Sequence, residues 1–119
     1  MEELLVLDYD GKGYFSHFRY GAWRIAYLNH APMFTKEGIT YLERHNETDE
    51  VFILLEGEAS LFMGENAAEV VMEKFRSYIV KKGAWHNIVV SEDAKVLIVE
   101  NADTGKNNSE YLPFRFLNF

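Results

Sequence analysis

The chain has 119 residues, of which 48% are hydrophobic and 15% aromatic, and it carries a formal net charge of −7. This length and apolar content exclude a disordered chain and predict a single domain over residues 1–119 with a hydrophobic core of its own. No basic cluster offsets the negative charge, which argues against nucleic acid as a partner. Cysteine is absent, so disulfides and thiolate metal sites are excluded.

The composition of the N-terminal segment indicates where in the cell the protein is located. It reads MEELLVLDYDG, an acidic stretch whose apolar run is short. Neither a signal peptide nor a membrane-spanning segment has this composition. We therefore expect a cytoplasmic protein without a membrane partner.

Short segments rich in β-branched and aromatic residues recur along the rest of the chain, separated by polar breaks such as 56–58 and 81–84. No long segment keeps the 3.6-residue period of a helix. Many short strands at this spacing are typical of an antiparallel sandwich or barrel. The predicted strands are residues 23–28, 39–45, 50–55, 59–63, 69–75, 78–80, 86–90 and 95–100.

Several predicted strands are apolar on both faces. In the segment 50–55, the side chains alternate between two sides, and both sides carry only hydrophobic residues after the first position. A small barrel with one core normally leaves one face of each strand in water. A second subunit is the simplest cover for the outer face, so we expect a homodimer.

The chain ends in an aromatic tail, residues 111–119, which reads YLPFRFLNF and follows a polar segment, 103–110, expected to be a solvated loop. So many apolar side chains in so short a segment are unfavourable in water. We therefore expect the tail to pack, either against its own domain or against a partner chain.

Several acidic and histidine residues lie at the ends of the apolar predicted strands. Glu43 and His45 share one face of a predicted strand, because alternate residues of a strand point the same way. Glu50 begins the next strand, so its carboxylate can lie opposite that pair, and His86 begins a later strand after a glycine turn. Imidazole and carboxylate together suit Zn, Fe, Ni or Mn. We therefore predict a divalent metal ion bound by Glu43, His45, Glu50 and His86.

Three apolar or aromatic residues accompany these candidate ligands. By alternation, Tyr41, Phe52 and Leu54 should point into the barrel on the same side as the ligands. They can line a pocket for a small-molecule ligand, or they can be ordinary core. His17 and His30 lie outside the ligand-bearing segments, and we expect them at the surface or behind the ligands.

The spacing of the candidate ligands resembles that of a known family. The stretch HNETDEVFILLEG gives His45, four residues, Glu50, six residues and Gly57, and KKGAWHNIVV gives Gly83, two residues and His86. This resembles the two motifs of the cupins, which are small β-barrel proteins. The resemblance implies an all-β fold, the cupin double-stranded β-helix or jelly-roll barrel, as a single cupin domain over residues 1–119 with an N-terminal extension of strands and the aromatic C-terminal tail.

The chain departs from the family pattern at three positions. Glu43 stands where the first motif has its first histidine, Lys81 replaces the proline of the second motif, and Val90 replaces its asparagine. The change to Glu43 bears directly on metal affinity. A carboxylate can bind the same ions, so the site either holds its metal with two histidines and two glutamates or has lost it.

The resemblance implies a small metal-binding cupin with a pocket for a small polar molecule, such as a sugar, a sugar phosphate or an organic acid. In an enzyme of the sugar-isomerase or lyase type, the ion would polarise a hydroxyl or carbonyl oxygen, and Glu43 would be the general base if it does not bind the metal. The alternative is a non-catalytic ligand-binding or structural barrel with a degenerate metal site.

Overall fold

The chain forms two β-sheets in a computed structural model that describes residues 3–117. Within this range the helical elements are two short 3-10 turns, Pro32–Phe34 and Lys106–Asn108, and no helix is long and apolar enough to cross a membrane. The strands are β1 (Tyr14–Tyr20), β2 (Trp23–Asn29), β3 (Tyr41–His45), β4 (Glu50–Glu56), β5 (Ala59–Met63), β6 (Ala68–Val71), β7 (Ser77–Val80), β8 (His86–Val90), β9 (Lys95–Asn101) and β10 (Ser109–Pro113).

Each sheet has five strands. The first sheet has the order β1-β2-β9-β4-β7, and the second has the order β10-β3-β8-β5-β6. The paired strands are antiparallel throughout both sheets. The chain crosses from one sheet to the other several times, for example between β3 and β4. This is the double-sheet architecture of a jelly roll, so the predicted all-β jelly-roll fold is confirmed.

The hydrophobic core fills the space between the two sheets. On β4, Phe52 and Leu54 point inward and are 4% and 1% exposed, whereas Val51 and Ile53 are half-buried on the outer side. Full burial of a Leu or Phe side chain stabilises a fold by roughly 1.5–3 kcal/mol. Other strands of the same sheet contribute Leu28, Val96 and Ile98 to this core, and strands of the facing sheet contribute Leu61 and Ile88.

The sequence analysis does not predict β1 or β10, and both are edge strands. β10 begins inside the segment 103–110, which was expected to be a loop, because Ser109 pairs in register with His45 of β3. The predicted strand 69–75 is longer than the observed β6. Phe75 has a positive φ of 64°, which is outside the β region, so a strand cannot continue through it.

The aromatic tail packs against its own domain. The ring of Phe116 meets that of Phe62 on β5 edge-on, with centroids 4.8 Å apart, and meets that of Phe114 at 5.0 Å. Phe62 is buried while its neighbour Leu61 belongs to the core, so by alternation Phe62 lies on the outer side of the second sheet. The tail therefore covers that side. Residues 118–119 of the predicted tail lie outside the described range.

The outer side of the first sheet has no comparable cover from the tail. Val51 and Ile53 on β4, and Leu97 and Val99 on β9, are half-buried there. Ile79, on the edge strand β7, is 47% exposed. We refer to these five residues as the open sheet face. It corresponds to the apolar outer face on which the expectation of a homodimer rests.

Candidate metal centre

Three strands bring the predicted ligands to one point in the interior. In the second sheet, Glu43 of β3 lies directly opposite His86 of β8, and His45 follows two residues later on the same face of β3. Glu50 begins β4 in the other sheet. β3 and β4 are therefore not hydrogen-bonded neighbours, and Glu50 reaches the other ligands across the interior of the barrel.

The candidate donor atoms are close together. The Nε2 atom of His45 lies 3.1 Å from Oε1 of Glu50, and Nε2 of His86 lies 3.3 Å from the same oxygen. One donor atom from each of Glu43, His45 and His86 lies within 4.8 Å of the others. His45, Glu50 and His86 are buried, whereas Glu43 is half-buried. The structure thus brings all four predicted ligands together.

Both imidazoles are held through their other ring nitrogen. Nδ1 of His45 lies 2.8 Å from the Ser109 hydroxyl, and Nδ1 of His86 lies 3.1 Å from the carbonyl oxygen of Ala84. When Nδ1–H donates to these oxygens, each Nε2 can offer a lone pair to a metal ion in the centre; without an ion, Nε2 of His45 donates a hydrogen bond to the Glu50 carboxylate. Nε2 of His86 is buried and has no hydrogen-bond partner among the described residues, because its contact with Glu50 lacks hydrogen-bond geometry.

This donor set fits a divalent metal ion. A buried polar atom without a partner is unfavourable, and a cation would accept the free lone pair of His86. Two imidazoles with carboxylates suit Zn, Fe, Mn or Ni, whereas Mg and Ca prefer oxygen ligands alone. Glu43 supplies an oxygen where the cupin motif has a nitrogen, so the number of donors is kept.

The ionisable groups of the centre have displaced pKa values. Burial alone would raise the pKa of Glu50, but the hydrogen bond with His45 and the nearby imidazole of His86 outweigh it and hold that pKa below its usual range. Burial alone would lower the pKa of His45, but the hydrogen bond with Glu50 and its charge raise it. Burial raises the pKa of Glu43, although both imidazoles oppose this shift. Glu50 is therefore an anion that is stabilised by a cation beside it.

The centre opens into a cavity of about 250 Å³. Tyr41 and Phe52 line this cavity, together with Phe34 and Tyr111, which the sequence analysis did not select. Leu54 does not line it and belongs to the core, which is the second of the two alternatives given for these residues. Alternation correctly places Leu54 on the inward face of β4, but it lies further along the strand and packs in the core, where it is 1% exposed.

A second polar cluster lines the same cavity and was missed by the sequence analysis. The Tyr14 hydroxyl donates to Oε2 of Glu100, and Nε of Arg24 donates to the same oxygen at 2.6 Å. The two Nη atoms of Arg24 donate to the carbonyl oxygens of Ala102, at 3.2 Å, and Thr104, at 2.8 Å. Arg24 thus connects β2 to the end of β9 and to the loop that follows it.

Glu100 lies next to the candidate metal centre. Burial and the neighbouring carboxylate of Glu50 raise the pKa of Glu100 to about 8. A signal for this residue is present in the sequence, because alternation puts Glu100 on the same face of its strand as Val96 and Ile98, which belong to the core. A carboxylate at the end of a buried face is unusual enough to mark a candidate functional residue.

Two facing antiparallel sheets around a buried cluster of histidine and glutamate define a small jelly-roll protein with a candidate metal site. A family model described as a cupin domain matches residues 34–100, which is more than half of the chain. The matched segment includes all four candidate ligands. The chain therefore belongs to the cupin family, as the spacing of its motifs indicates.

Several solved structures have a similar fold. Streptomyces PAC13 with uridine aligns with a TM-score of 0.67 at 6% identity, over 87% of this chain and 78% of that one. A cupin-2 domain protein from Shewanella frigidimarina aligns at 0.60 with 18% identity, over 78% and 84%. KdgF from Halomonas aligns at 0.59 with 9% identity, over 74% and 76%. Such identities establish a shared fold, and no curated protein matches the sequence.

Proposed function

We propose that this protein is a metal-dependent cupin enzyme that acts on a small polar molecule by isomerase- or lyase-type chemistry. The observation that carries the proposal is the convergence of two Nε2 lone pairs and two carboxylates beside a cavity, with Nε2 of His86 buried and unpartnered among the described residues. The ion would be Zn, Fe, Mn or Ni, for which this donor set is suited.

Each residue of the centre has a task in this proposal. His45, Glu50 and His86 would hold the ion, with Glu43 as the fourth ligand, and the ion would act as a Lewis acid on a hydroxyl or carbonyl oxygen of the substrate. A carboxylate has two oxygens, so Glu43 can bind with one and accept a substrate proton with the other. Ser109 keeps the imidazole of His45 in the orientation that binding requires.

The structural neighbours support this chemistry at the level of the fold. PAC13 is described as a nucleoside dehydratase, and its structures contain uridine. Removal of water is a lyase reaction, so a barrel of this shape can accommodate such chemistry. At 6% identity the neighbour does not define a substrate for this chain, because one fold hosts many activities.

Metal analysis of protein purified without chelators tests the proposal. We expect close to one divalent ion per chain, lost on replacement of His86 by Ala. His17→Ala is the matched control, because His17 stacks on Tyr27 outside the cavity and should keep its metal. Protein without stoichiometric metal from several growth media would contradict the proposal. Bound metal without turnover of any offered substrate would favour the non-catalytic alternative.

We also propose that the protein is a homodimer that buries the open sheet face. The residues of this face are apolar and contiguous on β9, β4 and β7, and burial of such a surface is a common basis for symmetric association. Light scattering at micromolar concentration should give the mass of a dimer. Ile53→Asp should give a monomer of unchanged secondary structure, and a monomeric wild type would refute the proposal.

A further inference from the structure

We infer that the cavity accepts an uncharged, hydroxyl-rich molecule of single-ring size, and that it discriminates against phosphorylated, carboxylated and amino analogues of that molecule. The inference rests on the proposed metal site and adds the chemical class of the ligand. It follows from the balance of hydrogen-bond donors and acceptors in the cavity lining.

The polar lining is rich in acceptors. Three acidic side chains, those of Glu43, Glu50 and Glu100, face or border the cavity. The Ser109 hydroxyl is already engaged by Nδ1 of His45. A ligand that brings O–H donors therefore finds partners here, whereas an anionic group would be placed beside other acidic groups.

The cationic and amide donors of the lining are already used, which leaves hydroxyl donors such as those of Tyr41 and Tyr111. Arg24 is the one cationic lining side chain, among the residues that the structure describes, that is not a candidate metal ligand. Its Nε atom is bound to Glu100, and its Nη atoms are bound to the carbonyl oxygens of Ala102 and Thr104. The side-chain amide of Asn87 donates to a main-chain carbonyl of β3. A phosphate or carboxylate group would therefore lose its hydration and find hydroxyl donors, but no free cationic or amide donor among the described lining residues.

A bound divalent ion would complete this selection. With Glu43 and Glu50 as its ligands, a divalent ion would form a cluster of about zero net charge, so neither an ammonium nor an anionic group would gain an attraction there that offsets its lost hydration. An uncharged polyol can offer one oxygen to the ion and donate its hydroxyl protons to the carboxylates. The cavity of about 250 Å³ is smaller than sites for drug-sized ligands, roughly 300–1,000 Å³, which limits the ligand to about one ring.

The experiment uses protein loaded with Mn²⁺, whose binding is first measured by electron paramagnetic resonance. Common pentoses, hexoses and nucleosides are then compared with their phosphorylated and amino counterparts, for example uridine with uridine 5′-monophosphate, and glucose with glucose 6-phosphate and glucosamine. Broadening of ligand proton signals by the bound Mn²⁺ reports binding. We expect at least one uncharged member to bind, and to bind tenfold or more tightly than its charged counterparts. His86→Ala should abolish the broadening, and His17→Ala should retain it.

The outcomes separate this inference from the proposed function. If neither Mn²⁺ nor Zn, Fe or Ni binds, both fail; if one of the other ions binds in place of Mn²⁺, the same panel is compared by calorimetry with that ion. If Mn²⁺ binds and the charged counterparts bind as tightly as the uncharged ones or more tightly, the inference alone is overturned. It is also overturned if Mn²⁺ is bound and no uncharged compound of the panel is broadened at millimolar concentration.

Discussion

Replacement of Glu100 by Gln should stabilise the metal-free protein much more at pH 7.5 than at pH 5.5. With a pKa of about 8, Glu100 is mainly protonated at both pH values and hydrogen-bonded to Glu50. A glutamine side chain offers an oxygen to Tyr14 and Arg24 and an N–H to Glu50, as a protonated carboxyl would. The variant therefore mimics the protonated form at every pH.

The magnitude follows from the two pKa values. The glutamate loses its proton near pH 4.5 in the unfolded chain and near 8 in the folded protein. Because the folded pKa is raised, this group stabilises the fold fully below pH 4.5 and loses that contribution as the pH rises through 8. Between these limits the free energy of unfolding falls by about 1.4 kcal/mol per pH unit. From pH 5.5 to 7.5, wild type should lose about 3 kcal/mol relative to the variant.

Urea unfolding followed by circular dichroism, with a chelator present, measures this difference. Glu100 also contributes to the raised pKa of His45 and to the lowered pKa of Glu50, so the difference between the two proteins reports on these three side chains as a unit. Glu110→Gln, at an exposed position of β10, is the control and should show no such dependence on pH. A variant that is equally or less stable than wild type at pH 7.5 would refute the reasoning.

Three other substitutions test separate features. Ser109→Ala should weaken metal binding about 10–100-fold in calorimetry, because it releases Nδ1 of His45; unchanged affinity would show that Ser109 does not orient the ligand. Gly57→Ala should strain the backbone, since Gly57 has a φ of +73° and an added Cβ would lie 2.7 Å from main-chain atoms of Ala94. The urea midpoint should fall by the equivalent of about 1–3 kcal/mol. An unaltered midpoint would show that the alanine is accommodated without strain. Phe116→Ala should lower the melting temperature, because it removes the packing of Phe116 on Phe62. Each kcal/mol lost should lower it by about 4–8 °C. A shift below the error of the scan would mean that this contact of the tail does not stabilise the fold.

The ligands that the sequence predicts are those whose positions depend on local spacing. Alternation puts Glu43 and His45 on one face of a strand, and a short turn separates them from Glu50. His86 could be assigned because a glycine turn and an apolar strand flank it. These relations survive in the structure even though β3 and β4 belong to different sheets, because both inward faces look toward the same interior.

The residues that the sequence does not predict depend on which strands become neighbours. Arg24 pairs in register with Glu100 across β2 and β9, and the two residues are 76 positions apart in the chain. No local pattern in either strand specifies that partnership, since many strand orders are compatible with the same alternation. Leu54 shows a second limit of prediction from sequence. Alternation specifies which face of a strand a side chain lies on, but it does not specify whether that side chain lies beside the cavity or further along the strand in the core.

The crossing of the chain from one sheet to the other between β3 and β4 links metal binding to the stability and cellular abundance of the protein. His45 and Glu50 stand on opposite walls of the sandwich, so an ion shared by them would fasten one wall to the other and would bind the folded chain only. Ion present at 100 times its dissociation constant would add about 2.7 kcal/mol to folding. Since about 1–2 kcal/mol can alter cellular abundance several-fold through proteolysis, a cell short of the metal would then hold fewer molecules of this protein.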